Sequence, residues 1–130
     1  MPTHANGTFD VRLTPRPPAD DVEAAVGRMT IDKQFHGDLE ATSKGQMLMA
    51  GTAVEGSAGY VALEQVSGTL HGANGTFVLQ HSATMNRGAA ELSVTVVPDS
   101  GTGQLTGITG RMSIEITGGK HFYELEYEIQ

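Results

Sequence analysis

Along most of this chain apolar residues recur at every second position, the period of a strand with one buried face. Phe9, Val11 and Leu13 alternate with Thr8, Asp10 and Arg12 until Pro15, Pro17 and Pro18 stop the run. Met29, Ile31, Lys33 and Phe35 form a second series. A third strand is predicted from about Asp38 to Thr52, bent or broken near Gly45. The stretch GYVALEQVSGTLHGANGTFVLQHSATMNRG, Gly59 to Gly88, supplies a fourth and a fifth strand as a hairpin. Leu92, Val94 and Val96 mark a sixth, ended by Pro98-Asp99-Ser100-Gly101. Met112, Ile114 and Ile116 mark a seventh. Tyr123, Leu125, Tyr127 and Ile129 mark an eighth, after a Gly118-Gly119 turn. One piece reads as helix: Asp20 to Val26 is a single turn, with Asp20 and Glu23 in capping-box order and Gly27 to end it. Consecutive strands with short connections predict one all-β domain over residues 1–130, a closed eight-stranded antiparallel up-and-down barrel. Such a barrel has room inside for side chains or one small ligand.

Asn74-Gly75 is the strongest turn signal in the central hairpin, because a type I′ turn needs positive φ at both positions. A turn there sets Leu79 opposite Leu70, His81 opposite Gly68 and Met85 opposite Glu64. One face then collects Tyr60, Ala62, Glu64, Val66, Leu70, Phe77, Leu79, His81 and Met85, and it points inward. The other carries Gln65, Ser67, Gln80, Ser82 and Thr84, together with Val61, Leu63 and Val78. Glu64 and His81 therefore occupy the face that should be buried. Lys33 is a third such case, between Ile31 and Phe35, and His121, in phase with Tyr123, is a fourth. Isolated buried charges cost several kcal/mol, so these groups must be paired, neutralised, near an open end or lining a polar cavity. In this register Glu64 and His81 lie roughly 13 Å apart along the strands, two polar points on one wall. A shifted register would make them diagonal neighbours instead.

The charge balance is acidic, 15 Asp and Glu against 8 Lys and Arg, for a net charge of -7. That repels phosphate backbones and anionic membrane surfaces, so neither nucleic acid nor membrane is an expected partner. The chain has no cysteine, which removes disulfides, thiolate nucleophiles and Cys-ligated zinc. The first residues, Met1 to Gly7, lack the basic and apolar regions of a signal peptide, and no run approaches a transmembrane helix, so a cytoplasmic location is expected. The five histidines show no HxH or HxxxH spacing, so no metal site and no cofactor is expected. DSGTGQLTGITG lacks the lysine and following helix of a phosphate loop, and Ser57 in GSAG lacks the helix of a nucleophile elbow.

Several blocks, GRMTIDKQFHGDLEATSKGQML, GSAGYVALEQVSGTLHG, GTFVLQHSATMNRG, LSVTVVPDSGTGQLTGITG and GKHFYELEYEI, resemble a bacterial family known as domain of unknown function 3224 (DUF3224). The resemblance spans nearly the whole chain. It implies a closed eight-stranded meander barrel similar in architecture to plant allene oxide cyclase, and it implies no activity. Proton chemistry by a glutamate on an apolar substrate would be an analogy of fold alone.

The expected function is binding of a small lipophilic molecule inside the barrel. It extends to cofactor-free cyclisation or isomerisation by proton transfer, with Glu64 as base and His81 or a tyrosine as helper. Tyr60, Lys33, Met85, Leu79, His121 and Tyr123 are the expected ligand contacts. The competing expectation is a catalytically silent barrel with a filled core, in which Glu64 bonds a neighbouring strand's hydroxyl or Lys33, or Lys33 instead snorkels to the rim. The apolar outer residues Val61, Leu63 and Val78 mark a protein contact, and a homodimer is expected.

Overall fold

The computed structural model of the protein describes residues 2–16 and 26–130. Eight strands follow one another: β1 (Thr3–Arg16), β2 (Val26–Gly37), β3 (Leu39–Gly51), β4 (Ala58–Leu70), β5 (Ala73–Asn86), β6 (Ala89–Val96), β7 (Ile108–Thr117) and β8 (Lys120–Ile129). Each pairs antiparallel with its sequence neighbours, and β1 pairs with β8 to close an up-and-down barrel. Closure leaves no free first or last strand. The one described helical element is a 3₁₀ turn at Gly103–Leu105, so no described helix is long and apolar enough to cross a membrane. The helical turn expected from Asp20 falls outside the described residues, except Val26, which opens β2.

Positive φ marks the tight turns. His71 and Gly72 join β4 to β5 at φ 47° and 81°, Arg87 and Gly88 join β5 to β6, and Gly118 and Gly119 join β7 to β8. The central hairpin therefore turns at His71-Gly72, not at Asn74-Gly75. Asn74 and Gly75 lie within β5, opposite Thr69 and Gly68. The reason is packing at the barrel's base. Gly75 faces inward against the Thr102 carbonyl and the Leu105 side chain, where a Cβ has no room. The Asn74 amide donates to Gln104 Oε1 at 2.8 Å, and the Thr76 amide to Thr102 Oγ1 at 3.1 Å. Any two-residue turn pairs odd positions with even ones, so the faces survive the correction while the pairing changes. Glu64 now faces Leu79, and Ala62 faces His81. β3 also runs unbroken through Gly45. That glycine is there for close approach: a Cβ would meet the Leu63 carbonyl and stand 2.6 Å from Glu64 Cα.

The two ends of the barrel differ. One end holds the chain reversals at Gly37-Asp38 and His71-Gly72 and the 97–107 connection. It is packed solid around Phe35, Leu39, Leu70, Phe77, Leu105 and Leu125, none more than 1% exposed. Phe35 packs edge-on to Tyr123 with ring centroids 5.5 Å apart. At the other end, among the described residues, lies a smaller buried cluster of Ile31, Met47 and Ala62. The inward positions beyond it, Leu13, Met49, Leu92 and Ile116, are exposed. The wall is weakest at this end too, since β6 and β7 pair only at Val94–Met112 and Thr95–Arg111.

Candidate functional site

Between the packed end and the open end lies a buried polar network. Lys33 on β2, Ser43 on β3, Glu64 on β4 and His81 on β5 all point inward, as their alternation requires. Antiparallel register sets Lys33 beside Ser43, Glu64 beside Gly45 and Leu79, and His81 beside Ala62. The diagonal reach across each pair then converges on one carboxylate. Lys33 Nζ donates to Glu64 Oε1 at 3.0 Å, and Ser43 Oγ donates to Oε2 at 3.2 Å. His81 Nε2 lies 3.3 Å from Oε1. Gly45 leaves the space that a side chain opposite Glu64 would otherwise fill. The ammonium also sits over the faces of Phe9 and Phe35, 4.6 and 5.6 Å from the ring centroids.

Burial by itself pushes the Glu64 carboxyl up, and this is the largest single influence. The His81 hydrogen bond, the Lys33 charge and the remaining contacts with both residues together outweigh it, and they hold the carboxyl below the usual carboxylate value. Glu64 is thus an ionised, fully engaged acceptor. Tyr60 goes the other way: burial first, and then the Glu64 charge, push its hydroxyl up. The His81 tautomer that donates Nε2–H to the carboxylate carries its lone pair on Nδ1.

Above this network a cavity of about 310 Å³ opens toward the exposed end. That volume is at the lower end of the ~300–1,000 Å³ range of small-molecule sites. Its walls are apolar, with Val11, Ile31, Met47 and Ile114 among them. The polar groups reaching it belong to Lys33, Tyr60, His81 and His121. His121 stacks 5.0 Å from Phe9. Glu64 does not line the cavity; it lies beneath Lys33 and His81. Among the described residues, no group of three or more His, Cys, Asp or Glu side chains could hold a metal ion.

Residues 5–127 match the model of a family described as protein of unknown function (DUF3224). The chain belongs to the DUF3224 family. A crystal structure of a DUF3224 protein of unknown function from Shewanella oneidensis is 51% identical, with a TM-score of 0.94. The similarity covers 100% of this chain and 98% of that one. No curated protein matches.

In this DUF3224 barrel five of the eight sequence-derived candidates gather in one place: Lys33, Tyr60, His81 and His121 at the cavity, with Glu64 under its floor. Glu64 and His81 are in direct contact, not on separate parts of one wall, because the turn sits at His71-Gly72. Lys33 does not snorkel to the rim; it is buried against Glu64. Three candidates lie elsewhere. Met85 pairs with Ala58 instead of Glu64, is exposed at the barrel rim and does not line the cavity. Leu79 is wholly buried opposite Glu64, within the packed core. Tyr123 belongs to the packed end, where its hydroxyl donates to the His36 carbonyl and accepts the Leu39 amide, both at 3.0 Å. The sequence reasoning passed over Ser43, whose inward phase with Ala41 and Met47 was the available signal. It also passed over His71, which closes the turn and places Nδ1 2.6 Å from the Tyr127 hydroxyl.

Proposed function

We propose that this DUF3224 barrel binds a small lipophilic molecule in the cavity at its open end. One observation carries the reading: inward-facing Leu13, Met49 and Ile116 surround an apolar hollow instead of filling it. Each of these partly exposed side chains forgoes part of the roughly 1.5–3 kcal/mol that full burial contributes. An apolar ligand recovers that burial. Ala62 tests the reading, since it lines the cavity between Met47 and His81. The neutral fluorophore N-phenylnaphthylamine is expected to brighten on binding the wild type. Ala62→Leu should lose at least about tenfold in affinity while melting no lower, because the added carbons fill space the ligand needs. A wild type that leaves the dye dark at saturating protein would sink the proposal.

The same geometry supports cofactor-free proton transfer such as cyclisation or isomerisation, with the roles of the two residues exchanged from the sequence-based expectation. His81 Nδ1 is the base, and Glu64 beneath it orients the ring and stabilises the imidazolium. A second reading, a silent structural barrel, draws on the depressed Glu64 carboxyl, which is what a packed ion pair produces. Absence of dye binding would favour it.

The outer face adds a proposal on assembly. Leu48 and Val61, paired across β3 and β4, and Leu63 two residues on, are about half exposed on one side of the wall. We propose that this patch joins two copies of the chain. Light scattering is expected to give twice the 13.7 kDa chain mass, and the monomer mass at micromolar concentration would rule the dimer out.

A further inference from the structure

The floor of the cavity carries information on the ligand's polar end, an inference that rests on the binding proposed above. Lys33 has three N–H donors, and among the described residues one is used, by Glu64 Oε1. Lys33 is 9% exposed and belongs to the cavity lining. An unspent donor there calls for an oxygen acceptor on the ligand. Charge balance then separates the acceptors. The Lys33 charge is already offset by the Glu64 carboxylate 3.0 Å away, which also holds His81 Nε2 at 3.3 Å. A ligand carboxylate would bring a second negative charge to a floor holding one fixed positive charge, and compensation would require a proton on His81. A carbonyl oxygen accepts the Lys33 N–H with no change in net charge.

We propose that the ligand is a neutral lipophilic carbonyl compound, a ketone or enone, held with its oxygen on Lys33 Nζ and its hydrocarbon body toward the barrel mouth. His81 lines the same cavity, and its ring shares one carboxylate oxygen with Lys33. That juxtaposition suits abstraction of a proton from the carbon next to the carbonyl. The C–H electron pair becomes the enolate double bond, the carbonyl π pair moves to the oxygen held by Lys33, and imidazolium returns the proton to carbon.

Three shape-matched probes test the assignment: acetylnaphthalene, isopropylnaphthalene and naphthoate, titrated against the full chain by ligand-observed NMR and fluorescence. The ketone is expected to bind at least about tenfold more tightly than the hydrocarbon, the return on one charge-assisted hydrogen bond, and more tightly than the carboxylate. In the double variant K33M/E64Q, which removes donor and counter-charge together, the ketone's advantage should vanish while the hydrocarbon still binds. Its hydrocarbon affinity and far-ultraviolet dichroism report that the barrel is intact. Equal affinities for ketone and hydrocarbon in the wild type overturn the assignment and leave the binding proposal standing. So does preference for naphthoate. Failure of all three probes overturns both.

Discussion

Lys33→Met is expected to be the most damaging single change at the polar network, costing about 3–5 kcal/mol at neutral pH. Methionine keeps the bulk and the contact with the Phe9 and Phe35 faces but leaves the Glu64 carboxylate buried without its strongest cation. For a domain of this size the melting temperature should fall by about 10 °C or more. The loss comes from stranding a charge, not from the worth of the pair. Adding Glu64→Gln should therefore return most of it, and a double-mutant cycle measures the coupling. Acid sharpens the test. The Glu64 carboxyl is held low in the folded state, so its contribution is fully present above the ordinary pKa of about 4.3 and is lost as pH falls through the folded value. Without Lys33 the upward push of burial meets less opposition, and the carboxyl takes its proton at higher pH. The gap between wild type and Lys33→Met should narrow as pH drops. Thermal melts of the four proteins between neutral pH and pH 3 check this. Superimposable wild-type and Lys33→Met melts would mean that the ammonium does not compensate Glu64.

How much of this could be read from the chain depends on what sets each feature. Side-chain parity is local, so inward Lys33, Glu64, His81 and His121 follow from period-2 alternation and survive any even change in register. Strand order follows as directly, because short connections leave neighbours in sequence as neighbours in the sheet. Register is less local. Asn74-Gly75 has the better turn chemistry, yet His71-Gly72 holds the turn, since Gly75 is needed where the Thr102 carbonyl and Leu105 close the base. No pattern within the hairpin announces contact with residues about thirty positions away. That one displacement brings Glu64 and His81 into contact and sets Met85 opposite Ala58 at the rim. Filling is the least legible of all. Leu13 and Leu125 both alternate inward, and only the closed wall decides that one packs and the other faces a hollow.

That difference yields the second large effect, using one substitution at two inward leucines. Leu125→Ala removes a side chain with no exposed surface from the packed end and should cost about 2–5 kcal/mol, the lost transfer energy plus the void left behind. Leu13→Ala, on a cavity-lining residue 44% exposed, should cost less than about 1 kcal/mol in the free protein. Denaturant unfolding of both variants gives the comparison. A lipophilic ligand changes only one side of it. Saturating the cavity stabilises the wild type by its binding free energy, and Leu13→Ala, having lost part of the wall that the ligand covers, should gain less. The apparent cost of Leu13→Ala therefore grows with ligand while that of Leu125→Ala stays constant. Equal costs for the two leucines without ligand would mean that the open end is as tightly packed as the closed one, and the cavity reading would fall with it. A Leu13→Ala penalty that ignores a ligand shown to bind would move that ligand out of the barrel, to the exposed outer face around Val61 and Leu63.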